Sequence, residues 1–225
     1  MKFKYLAYMK NKIVFKLTDN VGQTKDNTQW GNDVSHAAKG DGKELCSNGW
    51  IHYYTHPLIA VLLNPIHAKF KSPKLWEAKA SGKIINEELK SGCKTLRTIK
   101  EIPLPEISVL QRVAFGILCG KEVTEDKAWN KWADKWLSGE DRSKETAYAA
   151  AYDAAAAYAY AAACAGAAAY AAAASSGAAA YNAADAAAYN AADAAAYNAA
   201  DAADYAAASK SINFIALAEK AMTYK

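Results

Sequence analysis

Hydrophobic and polar positions alternate in short runs near the start of the chain and switch to helical spacing further along. Phe3–Tyr8 and Lys12–Leu17 read as strands split by a turn at Lys10-Asn11. Residues 19–49 hold no periodic run and are rich in Gly, Asn and Asp, which predicts a long loop with at most a short strand or turn inside it. Loops of that length in a compact domain are often functional. Thr55 is placed to cap a short helix with Pro57 near its first turn, the apolar run Leu58–Leu63 behind it and a stop at Pro65. Leu75–Ala80 and Thr95–Ile102 alternate again and read as strands.

Two amphipathic helices follow. Ile107, Leu110, Ala114, Ile117 and Leu118 share one helical face, with Gly120 near the end of that helix. Thr124 is the expected cap of the next, which places Trp129, Trp132, Ala133 and Trp136 in one stripe and ends at Ser138-Gly139. The stripe reads as core against the preceding helix.

Beyond this point the composition changes. From Ala147 to Ala208 the chain has 40 alanines in 62 residues, nine tyrosines and no Lys or Arg. It ends in a repeat, YNAADAAA at 181–188 and 189–196, then YNAADAAD at 197–204. Alanine's helix propensity predicts a helical tail, either one long helix or a hairpin turning at Ser175-Ser176-Gly177. Eight residues at about 100° each advance a helix by about 80° beyond whole turns. Tyr181, Tyr189, Tyr197 and Tyr205 would therefore spiral around the helix instead of forming one seam, which argues against a long coiled coil. They are candidate assembly residues, touching several neighbours in turn. A tolerated low-complexity tail without a partner is the plainer alternative. The expected architecture is α+β: a head at 1–139, a hinge at 140–146, and a helical tail at 147–225.

Charge sharpens this division. Residues 1–145 carry 24 Lys+Arg against 17 Asp+Glu, and residues 146–225 carry 3 against 6. The basic head suits phosphates on a small ligand, and no Lys/Arg block indicates a nucleic-acid arm. The four cysteines, Cys46, Cys93, Cys119 and Cys164, form no CxxC pair and no disulfide framework. The start lacks the apolar core of a signal peptide, so a reducing cytoplasm is the expected location. Residues 154–174 are uncharged and long enough for a membrane span, but alanine buries too little apolar area, and no membrane association is expected.

The densest polar and aromatic patch is CSNGWIHYYTHP at 46–57. Its Cys/His spacing fits no standard zinc site, so no metal is expected. Walker, GxGxxG, GxSxG and HExxH motifs are absent, and no cofactor is implied. His52 or His56 could act as a general base, but no partner nucleophile is identifiable, which leans against an enzyme. For a nucleotide-like ligand, Trp30, Trp50, Tyr53 and Tyr54 could stack on a base, while Lys43, His52, His56 and Arg97 could donate to phosphates. The competing reading places Trp50 and Tyr53 in the core.

The run LCSNGWIHYYTHPLIAVLLNPIHAKFKSPKLWEAKASG, followed by GCKTLRTIKEIPLPEISVLQRVAF, resembles a family of uncharacterised phage and prophage proteins. These carry a small domain with an LCxxG[FW]H core, a WE[VA]xAxG strand and often an alanine-rich tail. The resemblance implies a cytoplasmic accessory protein of a phage-infected host and transfers no catalytic residue. The patch is also loosely similar to the start of ADP-ribosyltransferase-like domains, which would give His52 and Tyr54 roles, but no matching catalytic Glu motif accompanies it. Small phage accessory proteins include oligomeric sponges for nucleotide immune signals. The expected function is thus non-enzymatic binding of a nucleotide-like ligand, with homo-oligomers formed through the tail and an anti-defence role. The alternatives are a structural scaffold and an ADP-ribosyl-handling enzyme.

Overall fold

The structure is a computed structural model that describes residues 12–64, 68, 70–86, 89–155 and 212–225. It divides into two compact units, Met1–Pro105 and Glu106–Lys225. The first is a sheet domain and the second is helical, which makes the fold α+β.

In the first unit, strands β1 (Ile13–Thr18), β2 (Gln23–Thr24), β3 (Thr28–Gln29), β4 (Ser35–Ala37) and β5 (Ile51–Tyr53) precede helix α1 (Pro57–Leu62). The long strands β6 (Lys74–Asn86) and β7 (Ser91–Ile102) follow. The main sheet runs β1-β6-β7-β4, all antiparallel, and β5 also pairs with β7. Phe15 and Tyr54 bridge β1 to the end of β5, so β1, β6, β7 and β5 form a closed circuit. Alternation then sorts the residues. Val14, Tyr53, Ala78, Cys93 and Leu96 turn inward and pack with Trp30 as the core, joined at its edge by Ile51, Ala80 and Ile84. Helix α1 lies against β1. β2 and β3 form a small hairpin around a 3-10 turn at Lys25–Asn27, so the 19–49 segment holds three short strands instead of being one loop.

β6 and β7 extend well beyond the runs the alternation marked. A register shift between Ser81 and Ile84 breaks the period, with Gly82 at φ 77°, so the inward set changes phase. On β7 the unmarked start is Ser91-Gly92-Cys93, small residues with little strand signal of their own. Gly92 is small because its neighbours leave no space. A Cβ there would lie 2.6 Å from Leu45 Cδ1, 3.0 Å from Trp50 Cβ and 3.1 Å from Ile85 Cγ2. Gly92→Ala is expected to cost about 1–3 kcal/mol through overpacking, read as a lower urea midpoint with an unchanged slope.

The helical unit comprises α2 (Val109–Val123), α3 (Lys127–Ser138), α4 (Lys144–Ala155) and α5 (Phe214–Ala221). Helix α2 packs against α5 and α3, and α3 packs against α4. Ser108 and Gln111 form a capping box on α2. The tryptophan stripe of α3 is buried as expected, with Trp129, Trp132 and Trp136 all under a tenth exposed. Gly139 closes α3 in the left-handed conformation, φ 82°.

Several expected boundaries move. The cap of α1 is His56, whose Nδ1 accepts from the Leu58 N–H at 3.3 Å, not Thr55. Thr124 ends α2 by donating its N–H to the Gly120 carbonyl, and Asp126 caps α3 by accepting from the Trp129 N–H at 2.8 Å. Gly120 lies in the last turn of α2, near its end as expected, whereas α4 begins at Lys144, within the stretch read as a hinge. The strand expected at Phe3–Tyr8, the stop at Pro65, the turn at Ser175-Ser176-Gly177 and the repeat tyrosines Tyr181, Tyr189, Tyr197 and Tyr205 lie outside the described residues.

Candidate functional site

The segment from Ala38 to Trp50 folds over one end of the β6–β7 hairpin. The Ala38 N–H donates to the Lys94 carbonyl at 2.8 Å, and the Gly40 N–H donates to the Asn48 carbonyl at 3.1 Å. The indole N–H of Trp50 donates to the Lys43 carbonyl at 3.1 Å. Leu45, 2% exposed, plugs the segment into the sheet above Gly92. Two glycines let the backbone cross itself. A Cβ on Gly49 would stand 2.0 Å from the Gly42 carbonyl oxygen.

Lysines surround this segment. The Lys94 ammonium donates to the Gly49 carbonyl at 2.6 Å and lies 4.6 Å from the centroid of the Trp50 ring. Lys83 Nζ stands 5.9 Å from the same ring. Lys90 Nζ donates to Cys46 Sγ at 3.0 Å. Lys39 and Lys43 are exposed on the segment itself. Among the described residues, the ion pairs join Lys74 to Glu101, Lys100 to Glu77, Arg97 to Asp33, Lys121 to Asp134 and Lys135 to Glu140. None of them involves a lysine of this patch. Each ammonium has three donors, so those already bonded to Gly49 or Cys46 keep others for an anion.

The sequence-selected residues are placed as follows. Lys43, Trp50 and His52 meet at the segment. Trp50 is 8% exposed, with a lysine over its ring, so its body is core and its charged surroundings face outward. His52 Nε2 bonds the Leu45 carbonyl at 2.5 Å. A carbonyl only accepts, so Nε2 carries the proton there. Burial holds His52 below the ordinary imidazole value, opposed by the Leu45 bond and reinforced by Lys90 and Lys16. The ring is therefore a neutral structural donor near pH 7.

The others are elsewhere in the unit. Tyr53 and Trp30 are buried in the interior of the strand circuit. Burial pushes the Tyr53 phenol up to about 12, with Cys93 adding to the rise and a Ser91 hydrogen bond opposing it. Trp30 donates its indole N–H to Thr24 Oγ1 at 2.9 Å and meets His36 edge-on. Tyr54 forms the β1 bridge, His56 caps α1, and Arg97 pairs with Asp33 on the outside of β7. The eight candidates thus do not converge on one cavity.

Sequence reading missed Lys83, Lys90 and Lys94, which the hairpin register folds back onto the 38–50 segment. It also missed Lys16, which sits inside the strand circuit. The signal for Lys83 and Lys94 was available in principle: pairing Ile85 with Gly92 brings them to the same end of the hairpin. In the helical unit, a separate open concavity of about 560 Å³ follows the outer face of α3 beside Lys127, Lys131 and Lys135. Its charge is partly cancelled by Asp134 and Glu140, which pair with Lys121 and Lys135.

Among the described residues, no group of three His, Cys, Asp or Glu side chains is placed to hold a metal ion, and no helix is long and apolar enough to cross a membrane. No family model, curated protein or solved structure matches the chain.

Proposed function

We propose that the chain is a phage-type cytoplasmic accessory protein that binds a small phosphorylated ligand without turning it over. The supporting observation is the group of Lys39, Lys43, Lys83, Lys90 and Lys94 around a glycine-rich segment pinned by backbone hydrogen bonds, with no carboxylate partner among the described ion pairs. Ammonium groups gathered on one segment suit the oxygens of a phosphate, which each can approach as a point charge and hydrogen-bond donor. The aromatic faces contribute little to binding in this reading, because Trp30, Trp50, Tyr53 and Tyr54 are already packed. The ligand is therefore held by its phosphates, and a base would lie at the rim. Sequestration of a nucleotide-like signal and self-assembly through the tail belong to the same proposal.

The test is to purify the protein, denature it and identify released small molecules by mass spectrometry, then titrate it with inorganic pyrophosphate. Lys43→Glu combined with Lys83→Glu, both at exposed positions, is expected to weaken pyrophosphate binding about tenfold and to flatten its salt dependence. Equal affinity in the double variant refutes the site.

A second reading, a structural scaffold, is favoured by one specific observation: the aromatic residues available for stacking are spent on the core. An empty protein that also ignores pyrophosphate and forms filaments would establish it.

A further inference from the structure

The circuit of strands is closed unequally. β1 pairs with β6 along its whole length, and β6 pairs with β7 through most of theirs. Between β1 and β5 there is one bridge, in which the Phe15 and Tyr54 N–H groups each donate to the other's carbonyl at 2.8 Å. Next to that bridge, where a ladder would continue, a side chain takes over. Lys16 Nζ reaches across and donates to the His52 carbonyl at 2.9 Å. The ammonium also lies 5.2 Å from the centroid of the Trp30 ring.

Lys16 is 9% exposed, so this is a buried charge. Among the described residues its hydrogen-bond acceptor is the one carbonyl, and its remaining donors rely on the Trp30 face. Among the described residues no carboxylate pairs with it. The titratable groups around it are Cys93 from β7 and His52 and Tyr53 from β5, while β6 offers Trp76, its register partner. Closing the seam costs hydration of the ammonium, and opening it restores that hydration. The weakest join in the circuit is thus loaded by the group that fastens it.

We propose that the β1–β5 seam is a gate: the Phe15–Tyr54 bridge parts while the rest of the sheet stays paired, Lys16 swings into water, and the interior around Cys93 and Tyr53 becomes accessible. Burial drives Lys16 down to about 8, with Cys93 pulling weakly the other way, which is the direction expected of a charge held against its preference. The gate is independent of the anion site, since it needs no ligand at the 38–50 segment.

Cys93 is 0% exposed and serves as the reporter. In the full chain with Cys46→Ser, Cys119→Ser and Cys164→Ser, a thiol reagent at pH 7.5 is expected to label Cys93 at a rate that changes little with low urea, as a local opening does. Adding Lys16→Met, which keeps the volume and removes the charge, is expected to slow labelling at least tenfold. Amide exchange in the natural chain gives a reading without substitutions. Phe15 and Tyr54 are expected to exchange at least tenfold faster than Ala80 and Leu96, which are partners in the β6–β7 ladder. Labelling that follows the full urea dependence of global unfolding, an unchanged or faster rate in Lys16→Met, or equal protection of the two amide pairs overturns the gate.

Discussion

Deleting Ile212–Lys225 is expected to abolish the cooperative melt of the helical unit, although the segment lies beyond the whole alanine-rich stretch. Ile212 is 4% exposed and Phe214 2%, and Ala218 and Ala221 are fully buried. These residues place α5 against α2. Polar groups fasten the end of the chain: the Gln111 amide donates to the Met222 carbonyl at 3.1 Å and the Tyr224 carbonyl at 3.4 Å, and Arg142 Nη1 donates to the Lys225 carbonyl at 3.3 Å. Phe214→Ala alone is expected to cost about 3–5 kcal/mol, a large share of the stability of a domain this small. The consequence bears on any study of the tail. Both ends of residues 156–211 are attached to the same helical unit, through α4 and α5. A truncation after Gly139 removes Ala147, Phe214 and Ala218 from that core along with the tail. A change in solution mass would then report unfolding as readily as lost assembly. Replacing 156–211 with a flexible Gly/Ser linker keeps α4 and α5. The circular dichroism melt is expected to survive in that variant and to vanish in the C-terminal deletion. If the tail drives assembly, only the linker variant will show it, as a monomer with an intact melt. A deletion of Ile212–Lys225 that melts normally would show α5 to be dispensable.

The elements that could be read from the sequence are those where one local rule had no competitor. The Trp129, Trp132 and Trp136 stripe and the Gly139 cap follow from helical spacing and from glycine's access to positive φ. Where two rules competed, the boundary moved. Thr124 and Asp126 are both good caps two residues apart. The preceding helix ran on to Val123 and took Thr124 for its own end, which left the role to Asp126. Histidine is not a usual cap, and His56 prevailed over Thr55 by position. The site was harder to read because it is made by pairing. Nothing local to Lys83 or Lys94 links them to Trp50; the hairpin register does. Lys16 was hidden for the opposite reason. In IVFKLT it looks like the polar residue of an alternating strand, yet it lies in phase with Val14, and both point inward.

Lys16→Met is expected to raise stability by about 2–3 kcal/mol at pH 7 and to change the shape of the pH dependence. In the folded chain Lys16 titrates at about 8, against 10.5 when unfolded. Below pH 8 both states hold the proton, and the fold bears the whole cost of the buried ammonium, about 3 kcal/mol. Between 8 and 10.5 the unfolded chain binds more protons than the folded one, so stability rises with pH. Two neighbours act in the other direction. Burial moves Cys93 from 9.0 to about 11 and Tyr53 from 10.0 to about 12, so each stays protonated in the fold after the unfolded chain has lost its proton. Their contributions fall with pH, from about 9 for the thiol and about 10 for the phenol. The natural protein should therefore gain stability from pH 8 to 9, level off as Lys16 and Cys93 oppose each other, and lose stability above pH 10. Without Lys16, the curve should start higher, stay flat to pH 9 and then only fall. Urea unfolding at half-unit steps from pH 7 to 10.5 separates the two shapes. A natural protein with no rise between pH 8 and 9, or a methionine variant no more stable at pH 7, would mean that Lys16 is not held as a strained charge. A rise present in the natural chain and absent from the variant would locate that strain at a single side chain, Lys16, where β1 meets β5.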